Sequence, residues 1–355
     1  MGSQDPVTSH TLPPTLYLVV TMKLSNMRPL TVCLAATLGA LAASQSSTPV
    51  QCRGSFNGTV GNGTVGSEQQ ISSTTVRLVN ATDANQGVAV DGDHFYSIDN
   101  FSITKHNKTT GEPTLQWYGG ADGPIIHLDG GVVINGTLYA PHSNYPTAPE
   151  TSSVEEWNVT TMEHIRSYSF GVNRGSLTWI DQDSTGTWYG TFANYDRVQQ
   201  GQTQPYGLSM NTQLVRFSPG PESPFQYISQ SWIFPEEMVS EIFSPMSNSG
   251  GSFGPDGWLY ITGHDASAAY AVQIPSAGSV VIWVATVSLP DIAGQGIAWD
   301  RSIKSTVANG TLYGISRESR QVVEMNIPLQ TCQPNYTLSV GNVYGPGRFV
   351  DPDAE

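Results

Sequence analysis

Gly131-Val132-Val133-Ile134-Asn135-Gly136-Thr137-Leu138-Tyr139-Ala140 is the stretch whose reading decides the fold. A short apolar run meets Asn-Gly and is followed by a second run centred on tyrosine. Asn-Gly supplies the two positive φ values of a tight two-residue hairpin turn, so the segment predicts two antiparallel strands. Four further segments begin alike: Gly87-Val-Ala-Val-Asp, Gly175-Ser-Leu-Thr-Trp, Gly251-Ser-Phe-Gly-Pro and Gly296-Ile-Ala-Trp-Asp. Each leads through a turn, among them Asp91-Gly92, Asp256-Gly257 and Asn309-Gly310, into an aromatic strand carrying Tyr96, Tyr189, Tyr260 or Tyr313. Tyrosine recurring at one position of a repeat implies packing between units rather than chemistry.

Outward from these hairpins, Ile103 to His106 with Thr114 to Tyr118, and Val154 to Trp157 with His164 to Phe170, complete four-stranded meanders. The starts at Gly87, Gly131, Gly175, Gly251 and Gly296 are spaced by 44, 44, 76 and 45 residues. A twisted sheet cannot bury both faces alone, and stacking such sheets radially buries them. The chain is therefore expected to be all-β: a single β-propeller of four-stranded blades, five by clear starts, or six if the long interval hides a degenerate blade. That interval is read as insertions into the third blade, Arg197 to Ser209 and the Pro-rich Pro219 to Met246. The fifth blade has three strands, and Thr75 to Val79 precedes the first repeat; pairing the two closes the ring through the chain's ends.

The organisation expected is residues 1-21 as an upstream extension or tag, 22-43 as a signal peptide, 44-74 as an N-terminal glycosylated segment, 75-332 as the propeller and 333-355 as a tail. The signal peptide rests on Lys23 and Arg28, the apolar run Leu30 to Leu41, and small residues at Ala42 to Ser44. That run is too short for a membrane span, which needs about 20 residues, and no later one is long enough. Of three cysteines Cys33 leaves with the signal, so Cys52 and Cys332 are expected to pair across the ring seam in an oxidising compartment. Nine N-x-S/T sequons agree with secretion to an extracellular location. Glycans are expected at Asn57, Asn62, Asn80, Asn107, Asn135, Asn158, Asn309 and Asn335; Asn100 would place one on the face assigned below to a site. A net charge of −14 with only 15 Lys and Arg excludes nucleic acid as a natural partner.

In such a propeller the turns between strands one and two and between strands three and four share one face, where Asn135, Asn309, Asn107 and Asn158 collect. The opposite face collects polar loops. After the tyrosine strands lie His142, Asn144, Asn194, Asp196, His264, Asp265 and Arg317; before the inner strands lie Gln86, Asp129, Arg174, Asn248 and Gln295. Polar loops on a rigid scaffold are where binding residues concentrate, so this ring is the candidate ligand site. Its histidines and carboxylates could hold a divalent metal or divide acid and base roles, though no close-spaced ligand pair such as H-x-H supports a metal. Gly250-Gly251-Ser252-Phe253-Gly254 matches G-x-S-x-G but opens a strand where a nucleophile elbow needs a strand followed by a helix. Asp183 to Trp188 departs in spacing from the sialidase Asp box and occurs once.

Blades built like Asn135-Gly136-Thr137-Leu138-Tyr139 resemble the secreted propellers that include NHL-repeat, gluconolactonase-like and olfactomedin-like proteins, over roughly residues 75 to 330. The resemblance is architectural and implies no catalytic set. Its olfactomedin-like members imply a disulfide near the chain ends and calcium or another divalent metal in the channel; no cofactor is assigned from the residues themselves. The expected function is a secreted glycoprotein binding a carbohydrate, small molecule or extracellular protein on the polar face. The alternative is a lactonase-like or glycosidase-like hydrolase using the His/Asp groups.

Overall fold

The computed structural model describes residues 69-172, 174-302 and 308-329. They form a five-bladed β-propeller. Blade one is β3 (Gly87–Val90), β4 (His94–Asp99), β5 (Ser102–Asn107) and β6 (Pro113–Tyr118). Blade two is β7 (Val132–Ile134), β8 (Thr137–Ser143), β9 (Thr151–Asn158) and β10 (His164–Val172). Blade three is β11 (Ser176–Gln182), β12 (Trp188–Ala193), β13 (Gln213–Ser218) and β14 (Tyr227–Ile233). Blade four is β15 (Gly250–Phe253), β16 (Leu259–Thr262), β17 (Ala268–Gln273) and β18 (Ile282–Ser288). Blade five is β19 (Ala298–Trp299), β20 (Asn309–Ser316) and β21 (Gln321–Pro328), completed from the other end of the chain by β2 (Thr74–Asn80).

The ring thus closes as the tally of strands required: β2 runs antiparallel to β21, with Leu78 opposite Val323. One strand has no counterpart in the sequence reading. β1 (Gln69–Ser72) adds in parallel to the outer edge of β18, so one N-terminal segment finishes two neighbouring blades and covers an edge that would otherwise stay open to pairing.

The long interval holds a single blade. Residues 194-212 are inserted between β12 and β13, and residues 234-249, with helical turns at Glu236–Met238 and Val239–Phe243, join β14 to β15. Pro219 to Met246 is therefore not all insertion, because it contains the outer strand β14. Only Trp232 in that strand is buried, and flanking prolines at 219, 221, 224 and 235 mask so weak an alternation.

Apolar side chains bury between blades. Ile98 and Leu138 meet at the seam of blades one and two, Val154 and Phe192 at two and three, and Trp179 and Ile261 at three and four. Tyr260 and Leu312 meet at four and five, and Tyr313 and Val88 at five and one. The repeated tyrosine acts at these seams. Tyr139 packs on Trp188 at 4.8 Å, Tyr189 on Phe253 at 5.2 Å, Tyr260 on Trp299 at 4.9 Å and Tyr313 on Phe95 at 6.1 Å, each ring reaching the next blade. Tyr96 and Tyr260 also donate to Asp91 and Asp256 of their own inner turns, at 2.6 and 2.7 Å.

At the axis the blades meet through backbone. A Cβ on Gly87 would lie 2.6 Å from the Cα of Gly130 and 3.0 Å from that of Gly296, and one on Gly296 would lie 2.6 Å from Gly130. The axial glycine of blade two is thus Gly130, one residue before the repeat start at Gly131. In blade four Gly250 faces the Gln295 carbonyl, where a Cβ would come within 2.3 Å.

Among the described residues no helix is long and apolar enough to cross a membrane. Cys52, Cys332, the 22-43 segment and the sequons at Asn57, Asn62 and Asn335 lie outside the described residues. Asn80, Asn135, Asn158 and Asn309 are exposed and Asn107 is half-buried.

Candidate functional site

Because each axial glycine is preceded by a polar residue, three such residues, Gln86, Asp129 and Gln295, arrive at the axis on the loop face. Gln86 and Gln295 are tied into the scaffold. The Gln86 carbonyl accepts from the Gly296 amide at 3.0 Å, and the Gln295 side chain donates to the His264 carbonyl at 3.0 Å. Asp129 differs. It is 4% exposed, and its Oδ2 has no hydrogen-bond partner. Burial pushes its carboxyl well above the usual carboxylate range, opposed by the charge of nearby Arg317.

Beside it stands His127, a residue the sequence reading left in the background. Its Nδ1 donates to Asn100 Oδ1 at 2.9 Å, and that oxygen also accepts from Gln86 at 2.7 Å. The Nε2 so left as an acceptor lies 3.9 Å from Asp129 Oδ1. Burial, with further contributions from His142 and Arg317, lowers His127 to about 4, so its imidazole is neutral at physiological pH. The same bonds occupy Asn100, and its sequon serine Ser102 is only 4% exposed, which fits this sequon poorly to carrying a glycan.

The rim is cationic and aromatic. Arg317 Nη1 donates to His264 Nε2 at 3.4 Å, and His264 Nδ1 donates to Asp265 at 2.6 Å. Burial lowers His264 despite that carboxylate. The Tyr145 ring lies 5.3 Å from His127 and 4.7 Å from Tyr195, linking the axis to blade three.

Beyond the tyrosines lies a second buried carboxyl that sequence reasoning missed. Glu150 is 1% exposed; its Oε1 accepts from Gln199 and from Ser176 Oγ, while its Oε2 and the Gln199 Oε1 have no partner. Burial raises Glu150 to about 7 against those hydrogen bonds. An acid raised in the folded state holds its proton after the unfolded chain, with its ordinary value near 4.5, has lost it. Stability therefore falls as pH climbs from about 4.5 to about 7, by about 3 kcal/mol in all, and is level beyond. Glu150→Gln should remove that slope: urea unfolding at pH 5 and pH 8 should show the wild type losing more stability than the variant by this amount.

The other ring residues serve the scaffold. His142 turns into blade two, where Nε2 accepts from the Ile126 amide at 3.2 Å and Nδ1 donates to Ser153 Oγ at 3.0 Å. Asn144 caps the turn to β9 by accepting from the Thr151 amide and donating to the Pro149 carbonyl. Asn194 holds the Arg174 and Asn211 carbonyls, and Arg174 reaches Gln213 at 3.3 Å. Asn248 accepts from Trp179 Nε1 at 2.7 Å, and Asp196 anchors the blade-three insertion through Ser209 and Ser244. Asp265 points outward with a side chain 78% exposed. Gln86, Asp129, His264, Gln295 and Arg317 gather at the axis; His142, Asp196 and Asn248 do not.

Among the described residues no three His, Cys, Asp or Glu side chains come together as a metal set. Two surface clefts lie elsewhere. One, of about 430 Å³, runs along the seam of blades five and one; its cations are already paired, Arg77 with Glu324 at 3.1 Å and Lys108 with Asp300 at 2.8 Å. The other, of about 440 Å³, lies beside Trp188 and Arg216 on blade three.

No family model and no curated protein matches the sequence. Among solved structures the chain is similar to the glutaminyl cyclase of Myxococcus xanthus, with a TM-score of 0.50 at 11% identity over 74% of this chain and 99% of that one. It also matches the PQQ-bound aldose sugar dehydrogenase of Streptomyces coelicolor (TM-score 0.43, 11% identity, 72% and 98% covered) and the hydrazine synthase of Kuenenia stuttgartiensis (0.40, 11%, 76% and 98%). At 11% identity the likeness to the glutaminyl cyclase is one of fold alone.

Proposed function

We propose that the protein is a secreted, N-glycosylated binding propeller that takes a small polar molecule at the axial mouth of its loop face. One observation carries this reading: the Asp129 carboxyl, buried at the axis, keeps an oxygen without a partner. An unmet buried polar group costs about 1–3 kcal/mol, and a ligand that engages it recovers that cost. His127 Nε2 beside it offers an acceptor, Arg317 a cation, and Tyr145 an aromatic face. Binding is preferred over hydrolysis because the groups a His/Asp hydrolase would use are dispersed, His142 into blade two and Asp265 into solvent.

The test is a binding screen by calorimetry against mono- and oligosaccharides and small amino compounds, using wild type, His127→Ala and Arg317→Ala. The wild type should bind at least one class, and each variant should weaken it about tenfold or more, the value of a lost hydrogen bond to a charged group. Binding left intact by both variants would place the site elsewhere. Secretion and glycosylation are tested by the mass of protein recovered from the medium of a eukaryotic host before and after N-glycosidase treatment, which should fall by several glycans.

A further inference from the structure

Two residues lining the cleft at the seam of blades five and one, Thr109 and Thr311, are the threonines of the sequons Asn107-Lys108-Thr109 and Asn309-Gly310-Thr311. Only one of the two asparagines faces the cleft. Side chains alternate along a strand, so Asn309 shares a face of β20 with Thr311 and Tyr313, both of which line the cleft. Asn309 is exposed at the open end of that row, and Thr311 stands opposite Asn326, which is exposed as well. Asn107 shares a face of β5 with Ile103 and Lys105, and that face turns to blade two, where Lys105 donates to the Val159 carbonyl at 2.7 Å. The Asn107 Oδ1 is taken up by the Thr109 and Thr110 amides.

From this placement we infer that the cleft is a carbohydrate seat, occupied by the N-acetylglucosamine core of the glycan carried at Asn309. The inference rests on the N-glycosylation reading above and says where one glycan lies. Attachment replaces an Asn309 Nδ2 hydrogen with a bond to the anomeric carbon of the sugar, and the diphosphate of the activated lipid-linked donor leaves with the proton. Thr311 is about 7 Å along the strand from Asn309, so the first sugar starts at the mouth of the cleft. The chemistry inside suits a neutral, hydroxyl-rich ring. Arg77 and Lys108 lie against Glu324 and Asp300, so the charges cancel in pairs. Val76, displaced by the register shift between Thr75 and Arg77, leaves an apolar side chain 52% exposed in the cleft wall, and the C–H face of a sugar removes such surface from water. The volume, about 430 Å³, is that of a small-molecule site. A sugar seated there spans from β2 and β20 of blade five to the Lys108-Thr109 turn of blade one, across the seam that the two ends of the chain complete.

The experiment takes the full chain secreted by a eukaryotic host and treats it, native and denatured, with an endoglycosidase that cuts between the two core N-acetylglucosamines. Glycopeptide mass spectrometry then gives the cleavage rate at each asparagine. On the native protein Asn309 should be cut at least tenfold more slowly than Asn158, which is exposed in blade two, and denaturation should abolish the difference. Val76→Glu, checked for folding by circular dichroism, should raise the native rate at Asn309 at least threefold, because a carboxylate replaces the apolar wall while the sequon stays intact. Equal native rates at Asn309 and Asn158, protection at Asn107 in place of Asn309, or protection undiminished in Val76→Glu would overturn the inference. The two readings fail separately. If Asn309 is bare or freely cut while other sequons carry glycans, only the carbohydrate seat falls; if no sequon carries a glycan, the N-glycosylation reading falls with it.

Discussion

Gly296→Ala should destabilise the protein by about 3 kcal/mol or more, lowering the melting temperature by about 5–10 °C. The new methyl would sit 2.6 Å from the Gly130 Cα and 2.9 Å from the Gly87 Cα. Overpacking is tolerated when a flexible side chain gives way. Here the obstacles are backbones of two other blades, so relief requires the inner strands to move apart and open the seams behind them. Gly92→Ala is the control, since its Cβ would meet nothing nearer than 4.0 Å. Thermal denaturation of the two variants in parallel should separate them clearly; equal melting temperatures would show that the axis is looser than these contacts require.

Trp179→Ala should cost about 3–5 kcal/mol, the usual loss for a large aromatic removed from a packed interior. Trp179 is 1% exposed on β11 and projects onto the inner strand of blade four, where a Cβ on Gly251 would touch its ring at 2.4 Å. Its Nε1 donates to Asn248 Oδ1 at 2.7 Å, while Asn248 Nδ2 holds the Gly250 and Thr262 carbonyls. Trp179→Phe divides the effect. It keeps much of the volume and strips the indole donor, so it should cost about 1–3 kcal/mol for the unpaired Asn248 oxygen and the smaller ring. Chemical denaturation of the three proteins measures both shares, and a Phe variant as damaged as the Ala variant would assign the whole effect to the hydrogen bond.

What the sequence displayed well was repetition with an evident physical purpose. The tyrosine of each second strand was legible as inter-blade packing because it recurs at one position of the repeat; the two-residue turn holds at Asn135-Gly136, where both residues take positive φ, whereas Asn309-Gly310, expected as a turn, opens β20. Ring closure was legible because blade five lacked a strand and Thr75 to Val79 had no partner. Register was harder. Gly130 and Gly131 are adjacent, and a strand's faces swap with every residue, so an apolar run alone does not tell which glycine meets the axis.

The candidate site was legible as a polar loop face, and the residues that gather at the axis were not. His142 and His264 look equivalent after their tyrosine strands, yet β8 continues to Ser143 and carries His142 into blade two, whereas β16 ends at Thr262 and releases His264 toward the mouth. Glu150 and Gln199 gave no sign, because each sits in a polar loop where exposure is the ordinary expectation. Gln86, Asp129 and Gln295 were already among the expected polar loops; what sets them apart from the others is that each immediately precedes a glycine at the axis, a relation that becomes visible once Gly130 is taken as the repeat start.

The seam between β2 and β21 also sets an order of events during biosynthesis. Asn80 and its hydrogen-bonded neighbour Gln321 are 241 residues apart, so the strand that finishes blade five is translated first and its partner last. At about 5–20 residues per second, β2 waits on the order of tens of seconds with both edges unpaired while blades one to four emerge. β1, reserved for blade four, waits nearly as long. The nascent propeller is therefore an open arc whose last seam forms only after translation has delivered β21, and during that interval the chain depends on its surroundings to keep the N-terminal strands from pairing with another copy.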